Sequence, residues 1–143
     1  MIMEKELLEA KLNQLLRILA ETEHWLAIPL ADFAKDTKLI RACQRNLQLL
    51  VEYASDINGI LILESNQKVP GSYRESFTSL FEMDIASALS RTDREALLAS
   101  VDWRNELIHE YEPEGSNDVF YATLKASLAA YRHYAQTIHR AVA

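Results

Sequence analysis

The chain has 143 residues, of which 49% are hydrophobic and 25% charged, a balance typical of one globular domain covering residues 1–143. The formal net charge of −6 argues against a broad basic surface for nucleic acid, so any RNA site must be a localised cationic one. Glycine and proline, three of each, are too scarce for a turn-rich β fold and favour helices.

Hydropathy and cysteine content predict the compartment. No stretch is apolar for long enough to span a membrane, and residues 1–6 are too charged for a signal peptide. The one cysteine, Cys43, cannot form an internal disulfide, which is typical of proteins from a reducing compartment. We therefore expect a cytoplasmic protein that does not associate with a membrane.

Apolar residues at three- and four-residue spacing predict two long helices in the first half of the chain. The first runs from about Met3 to Trp25, and a break near Pro29 follows it. The second begins after Asp36, which is a suitable N-cap, and continues to about Leu61.

Capping-box patterns predict the helices of the second half. Ser72 followed by Glu75 begins a third helix after Pro70-Gly71, and Thr92 followed by Glu95 begins a fourth. Residues 84–90 form either a separate turn or the tail of the third helix. A last helix starts at Ser116 or Asn117, after a break at 113–115. Its expected inward residues are Val119, Leu124, Leu128, Tyr131 and Ile138. The predicted fold is an all-α, antiparallel bundle of four to five helices.

A polar run ends the fourth helix. Residues 104–111 read Arg-Asn-Glu-Leu-Ile-His-Glu-Tyr, and on a helix Asn105 and His109 share a stripe beside that of Arg104 and Tyr111. Histidine can transfer protons near neutral pH, and the planar arginine fork can hold two phosphate oxygens. In a helix without such a function, the arginine forms a surface ion pair, and the histidine lies near the helix C-terminus, where its positive charge interacts favourably with the helix dipole.

The spacing Arg104-Asn105-x3-His109-x-Tyr111 resembles the motif of the HEPN superfamily, and within it the chain is most similar to the HepT-like toxins. The stretch at 70–77, Pro-Gly-Ser-Tyr-Arg-Glu-Ser-Phe, and the long second helix extend the similarity over most of the chain. The resemblance implies a symmetric homodimer of helical bundles that brings two motifs together in one cleft.

The resemblance also implies a function. Such a protein is a toxin and an endoribonuclease that uses no metal or cofactor, with Arg104 and His109 as catalytic residues and Asn105 in support. Its partner is an MntA-like nucleotidyltransferase antitoxin, which silences the toxin by transferring AMP to the tyrosine, here Tyr111. The substrate is RNA, with tRNA and mRNA left open, and a 2′,3′-cyclic phosphate is the expected product.

Two other functions stay open. A non-catalytic subunit that binds nucleotide or RNA for a nucleotidyltransferase agrees better with the net charge of −6. A purely structural dimerisation domain would tolerate substitution of the whole motif. Elsewhere, Glu52 and Asp56 are four apart on the long helix, and we interpret them as a solvated edge rather than as part of a cleft. His24, His133 and His139 lack the spacing of a metal site and read as ordinary surface residues.

Overall fold

Helices account for nearly all of residues 4–108 and 117–143, the residues that the computed structural model describes. Within these ranges there are six α-helices, one short 3-10 turn and no strand, which confirms the predicted all-helical fold. The helices are α1 (Lys5–Trp25), α2 (Leu30–Phe33), α3 (Thr37–Glu64), α4 (Tyr73–Phe81), α5 (Arg91–Ile108) and α6 (Asn117–Val142). The four-residue helix α2 was not predicted, because the segment around Pro29 was interpreted as a break between two helices.

Two of the predicted helix starts are confirmed by side-chain caps. The Asp36 carboxylate accepts a hydrogen bond from the Leu39 amide at 3.0 Å, and Ser72 Oγ accepts from the Glu75 amide at 3.0 Å. Glu75 completes the second cap by accepting from the Gly71 amide at 3.2 Å. Each cap satisfies backbone N–H groups that have no partner inside the helix.

The predicted capping box at Thr92 and Glu95 is wrong, because the cap lies two residues earlier, at Ser90, and α5 begins at Arg91. Ser90 Oγ accepts from the Asp93 amide at 3.0 Å, while the Asp93 carboxylate accepts from the Ser90 amide at 3.3 Å. Both serine or threonine positions are followed three residues later by an acid, so the pattern alone does not separate them. The other Asp93 oxygen contacts His133 Nδ1 of α6 at 2.9 Å, a long-range contact that favours the Ser90 register.

The segment left open before α5 contains a separate 3-10 turn at Asp84–Ala86 rather than an extension of α4.

Contacts between helices show that neighbours run antiparallel. Along α1 and α3, Lys11 pairs with Asp56 at 3.1 Å, whereas Asn46 donates to Thr22 at 2.9 Å, so residue numbers rise on one helix as they fall on the other.

The core is formed by the apolar faces of α1, α3 and α6, with α4 and α5 closing one side. The prediction that Val119 of the last helix faces the core is wrong, because this residue is 49% exposed. Tyr131 and Tyr134 are fully buried and hydrogen-bonded, and burial raises the pKa of both phenols. The buried apolar residues of α1, α3 and α6 include Leu8, Leu12, Leu15, Leu19, Ile40, Leu47, Leu50, Val51, Ala54, Ile57, Leu61, Leu124, Leu128 and Ile138.

Cys43 belongs to this core, on the face of α3 that is closed to solvent. Burial and the nearby negative charge of Asp36 raise the pKa of its thiol to about 11. The thiol is therefore protonated at neutral pH. Within the described part of the chain, no helix combines the length and the apolar composition needed to cross a membrane.

Candidate functional site

Arg104 lies where the core-facing stripe of α5 reaches the end of the bundle. Leu97, Ser100 and Val101 on that stripe are fully buried. Arg104 comes three to four residues after Ser100 and Val101, so its side chain leaves on the same side of the helix. It is half-buried, so part of this long side chain packs against the bundle while part remains exposed to solvent.

The Arg104 guanidinium group stacks on the ring of Tyr73, the first residue of α4. Arg104 Cζ lies 4.2 Å from the ring centroid, a distance typical of a cation–π contact. Arg104 Nη2 also donates to the Tyr73 hydroxyl at 3.3 Å, and Nη1 donates to Asn105 Oδ1 at 3.4 Å. Arg104 and Asn105 of the predicted site are thus in contact, and Tyr73 joins them.

The guanidinium group has more donors than these contacts use. Arginine carries five N–H groups, and the two contacts of Arg104 are long. Its Nε is buried and meets no acceptor among residues 4–108 and 117–143. A buried N–H without a partner costs about 1–3 kcal/mol. An anion with two oxygens, such as a phosphate, could accept from the unused donors and relieve this cost.

Hydrogen bonds to α3 fix the first turn of α4 beneath this stack. Ser76 Oγ donates to the Tyr73 carbonyl at 2.7 Å and accepts from Ser55 Oγ at 3.0 Å and from Asn58 Nδ2 at 3.4 Å. Ser76 and Asn58 are both buried. The backbone that carries the Tyr73 ring is therefore held by the core.

A second cation stands beside the stack. Arg74 of α4 pairs with Asp102 of α5 at 3.1 Å, with both side chains more than half exposed. Exposed pairs of this kind contribute about 0–1 kcal/mol, so Arg74 can exchange its partner at little cost. Two arginines therefore occupy the contact between α4 and the C-terminal half of α5.

Tyr73 also forms one end of an open groove of about 650 Å³ between α1, α3 and the segment before α4. Asp56 lines the groove and is paired with Lys11 of α1. Glu52, the other acidic residue singled out on this helix, is half-buried.

The remaining predicted residues, His109 and Tyr111, lie outside the described residues, so their roles stay predictions. In the described part, no group of three histidine, cysteine or acidic side chains is arranged to hold a metal ion. Sequence reasoning assigned no functional role to Tyr73, which it treated as part of a helix start and of the stretch at 70–77 that carries the family resemblance. No local pattern could have revealed it, because its contact with Arg104 spans 31 positions and depends on how two helices pack.

Comparisons with known proteins identify the fold and the family. Two matching crystal structures are of mutants of the toxin–antitoxin MntA–HpeT, at 19% and 21% identity and TM-scores of 0.77 and 0.78; each alignment covers 94% of this chain and 98% of the other. At such identity they establish a shared fold. No curated protein sequence matches. The family model described as ribonuclease HepT-like matches residues 15–138. The chain therefore belongs to the ribonuclease HepT-like family.

Proposed function

We propose that this chain is the toxin of a toxin–antitoxin pair, a metal-independent endoribonuclease whose active site is shared by two subunits of a symmetric dimer. The observation that carries the proposal is the Arg104 guanidinium group, held at the end of α5 with donors that the described residues leave unused. Membership of the ribonuclease HepT-like family supports RNA as the substrate.

The reaction needs two proton transfers and one fixed cation. One His109 imidazole takes the proton of the RNA 2′-hydroxyl, whose oxygen attacks the adjacent phosphorus. The bond from phosphorus to the 5′-oxygen breaks, and the partner subunit's His109 protonates that oxygen. Arg104 stabilises the negative charge that builds on the phosphoryl oxygens, and Asn105 helps to hold Arg104. The products are a 2′,3′-cyclic phosphate and a 5′-hydroxyl end.

One imidazole cannot easily serve both sides of a single phosphorus atom, so the mechanism requires two copies of the motif. A two-fold dimer, the commonest oligomeric symmetry, supplies them. Sedimentation of the purified chain should therefore give a dimer at the concentrations used for the assay. A stable monomer that cleaved RNA would contradict the shared site.

The cleavage experiment compares matched variants on purified cellular RNA, with analysis of the new ends. We expect the wild type to leave 2′,3′-cyclic phosphates, and we expect His109→Ala and Arg104→Ala to remove cleavage. The controls are His139→Ala and Arg91→Ala, which change an exposed histidine of α6 and an exposed arginine of α5. Loss of activity in the controls, or its survival in His109→Ala, would contradict the assignment.

Silencing by a nucleotidyltransferase is the second part of the proposal. The Tyr111 hydroxyl attacks the α-phosphate of ATP, AMP is transferred to the tyrosine, and pyrophosphate leaves. The bulky anion then competes with substrate phosphate for Arg104. The matching crystal structures are of a toxin–antitoxin pair, which motivates this partner for the present chain.

The test is co-expression of this chain with any nucleotidyltransferase that its genome neighbourhood encodes. Intact-mass analysis should find one AMP per modified subunit, and Tyr111→Phe should prevent both the modification and the loss of cleavage. A Tyr111→Phe protein that is still silenced by modification of the motif would overturn this step, as would a genome neighbourhood without such an enzyme.

The net charge of −6 favours one alternative, a non-catalytic subunit that presents nucleotide or RNA to a nucleotidyltransferase. His109→Ala separates the two functions. A catalytic toxin loses RNA cleavage and growth inhibition, whereas a binding subunit never cleaves RNA and still stimulates its partner after the substitution.

A further inference from the structure

We propose that Tyr73 is a positioning residue that sets the direction from which Arg104 can receive a phosphate; this rests on the proposed role of Arg104 in RNA cleavage. Tyr73 acts on the reaction through Arg104. It acts by covering one face of the guanidinium group and by holding one of its Nη atoms through the hydroxyl.

The stack restricts both the side chain and its ligand. All five N–H bonds of a guanidinium group lie in its plane, so a phosphate binds along the edge rather than on the face. With Cζ 4.2 Å from the centroid of Tyr73, one face is closed and the group is held over the ring. The Nη2 contact with the Tyr73 hydroxyl limits rotation of the group over the ring. Nε, which is buried and has no acceptor among the described residues, is the donor left for an anion, and the anion must displace the atoms that cover it.

Tyr73 can hold Arg104 because it is itself anchored to the far side of the bundle. The Tyr134 hydroxyl of α6 donates to Asn58 Oδ1 at 2.5 Å, and Asn58 Nδ2 donates to Ser76 Oγ at 3.4 Å. Ser76 Oγ in turn donates to the Tyr73 carbonyl at 2.7 Å. This chain of buried hydrogen bonds runs from α6 through α3 to the first residue of α4. A cation fixed before the substrate arrives needs no reorganisation during the reaction.

The experiment measures RNA cleavage by Tyr73→Leu and Tyr73→Phe. Leucine removes the π face, so we expect kcat to fall about tenfold with a smaller change in KM. Phenylalanine keeps the stack and loses only the long hydroxyl contact, so we expect activity within about threefold of the wild type. The matched control is Phe81→Leu, which removes the ring beneath Arg94 elsewhere on α4 and should leave kcat within about twofold.

A double-substitution cycle tests whether Tyr73 acts through Arg104. The readout is the Kd for an uncleavable 2′-O-methyl RNA. Tyr73→Leu should weaken binding in the wild-type background and add less than about twofold in the Arg104→Ala background. Equal losses in both backgrounds would mean that Tyr73 contributes independently of Arg104, and would overturn the proposal.

NMR separates failure of this inference from failure of the proposed function. The Nε–Hε signal of Arg104 should be displaced by the Tyr73 ring current and should move towards the free-arginine position in Tyr73→Leu, without any RNA present. If the signal behaves this way but the wild type neither binds nor cleaves RNA, the proposed function fails and the stack remains. If the wild type cleaves RNA but Tyr73→Leu matches Phe81→Leu in kcat, the positioning role fails alone.

Discussion

Helices α4 and α5 are joined by two arginine–aromatic stacks that look alike and are used differently. Arg94 lies over Phe81, with Cζ 5.2 Å from the ring centroid, and Arg104 lies over Tyr73 at 4.2 Å. Because the helices run antiparallel, the stacks stand at opposite ends of the pair.

The two arginines differ in what their N–H groups meet. Arg94 donates from Nε to the Leu89 carbonyl at 3.1 Å, from Nη1 to Phe81 at 3.3 Å and from Nη2 to Ala86 at 2.9 Å. All three nitrogens thus serve backbone carbonyls of the turn between α4 and α5. Arg104 has two long side-chain contacts and a buried Nε with no acceptor in the described structure. An arginine whose donors are already occupied supports the fold, whereas one with free donors can bind a ligand.

The largest difference is expected when lysine replaces each arginine in turn. Arg104→Lys keeps the charge but loses the planar edge, so we expect RNA cleavage to fall about 100-fold. The unfolding free energy should change by less than about 0.5 kcal/mol, because no backbone carbonyl of residues 4–108 or 117–143 accepts a hydrogen bond from the Arg104 side chain. Cleavage assays and urea titrations of the same sample measure both. A variant that loses stability instead of activity would show that Arg104, like Arg94, supports the fold rather than the reaction.

Arg94→Lys should give the opposite result. A lysine ammonium cannot reach three carbonyls while lying over the ring, so we expect a loss of about 2 kcal/mol in unfolding free energy. Cleavage per folded molecule should stay within about twofold of the wild type. Arg91→Lys, at an exposed position on the same helix, is the control and should change neither quantity.

Asp93, at the start of α5, predicts a pH dependence of stability. Burial alone would raise the pKa of Asp93, but hydrogen bonds from His133 and Ser90 outweigh it and hold the pKa below its ordinary value. Asp93 therefore stabilises the fold above its ordinary pKa of about 4, and this contribution is lost as the pH falls through the lower folded-state value.

Asp93→Asn keeps the side-chain shape and removes the charge. We expect it to lower the unfolding free energy by about 1 kcal/mol at neutral pH. The gap should shrink as the pH falls from neutral to below the ordinary aspartate pKa of about 4 and wild-type Asp93 becomes protonated. Urea titrations across this range provide the measurement, and a gap that is the same at both ends would contradict the assigned hydrogen bonds.

The smallest effect concerns Arg74. Replacing it with alanine breaks an exposed pair with Asp102, so stability should change by less than about 0.5 kcal/mol. If Arg74 exchanges Asp102 for an RNA phosphate, the slope of log Kd against log salt for 2′-O-methyl RNA should decrease by about one. An unchanged slope would mean that Arg74 contacts no RNA phosphate, and that the cationic site consists of Arg104 and residues after it.

The sequence predicted most of the fold because its signals are local. Helical spacing and the caps at Asp36 and Ser72 depend on residues within a few positions of one another, and they identified α3 and α4 correctly. The start of α5 was misplaced because two overlapping capping patterns compete there. The contact that favours Ser90 comes from His133, 40 positions after Asp93.

The candidate site was predicted only in part for the same reason. The spacing of the motif singled out Arg104 and Asn105, and the structure brings them into contact. Tyr73 and Arg74 belong to the site because α4 packs on α5. The sequence of neither helix alone contains a signal for that packing. The different roles of Arg94 and Arg104 were also not predictable from the sequence. They depend on which backbone carbonyls of the turn between α4 and α5 point towards each guanidinium group.

Burial of Cys43 gives this protein an internal reporter of opening. As the one thiol in the chain, shielded and protonated in the folded state, it should resist alkylation until α3 separates from its neighbours. Pulsed labelling with iodoacetamide would then follow breathing of the bundle without an engineered probe, and could show whether RNA or a bound partner slows it.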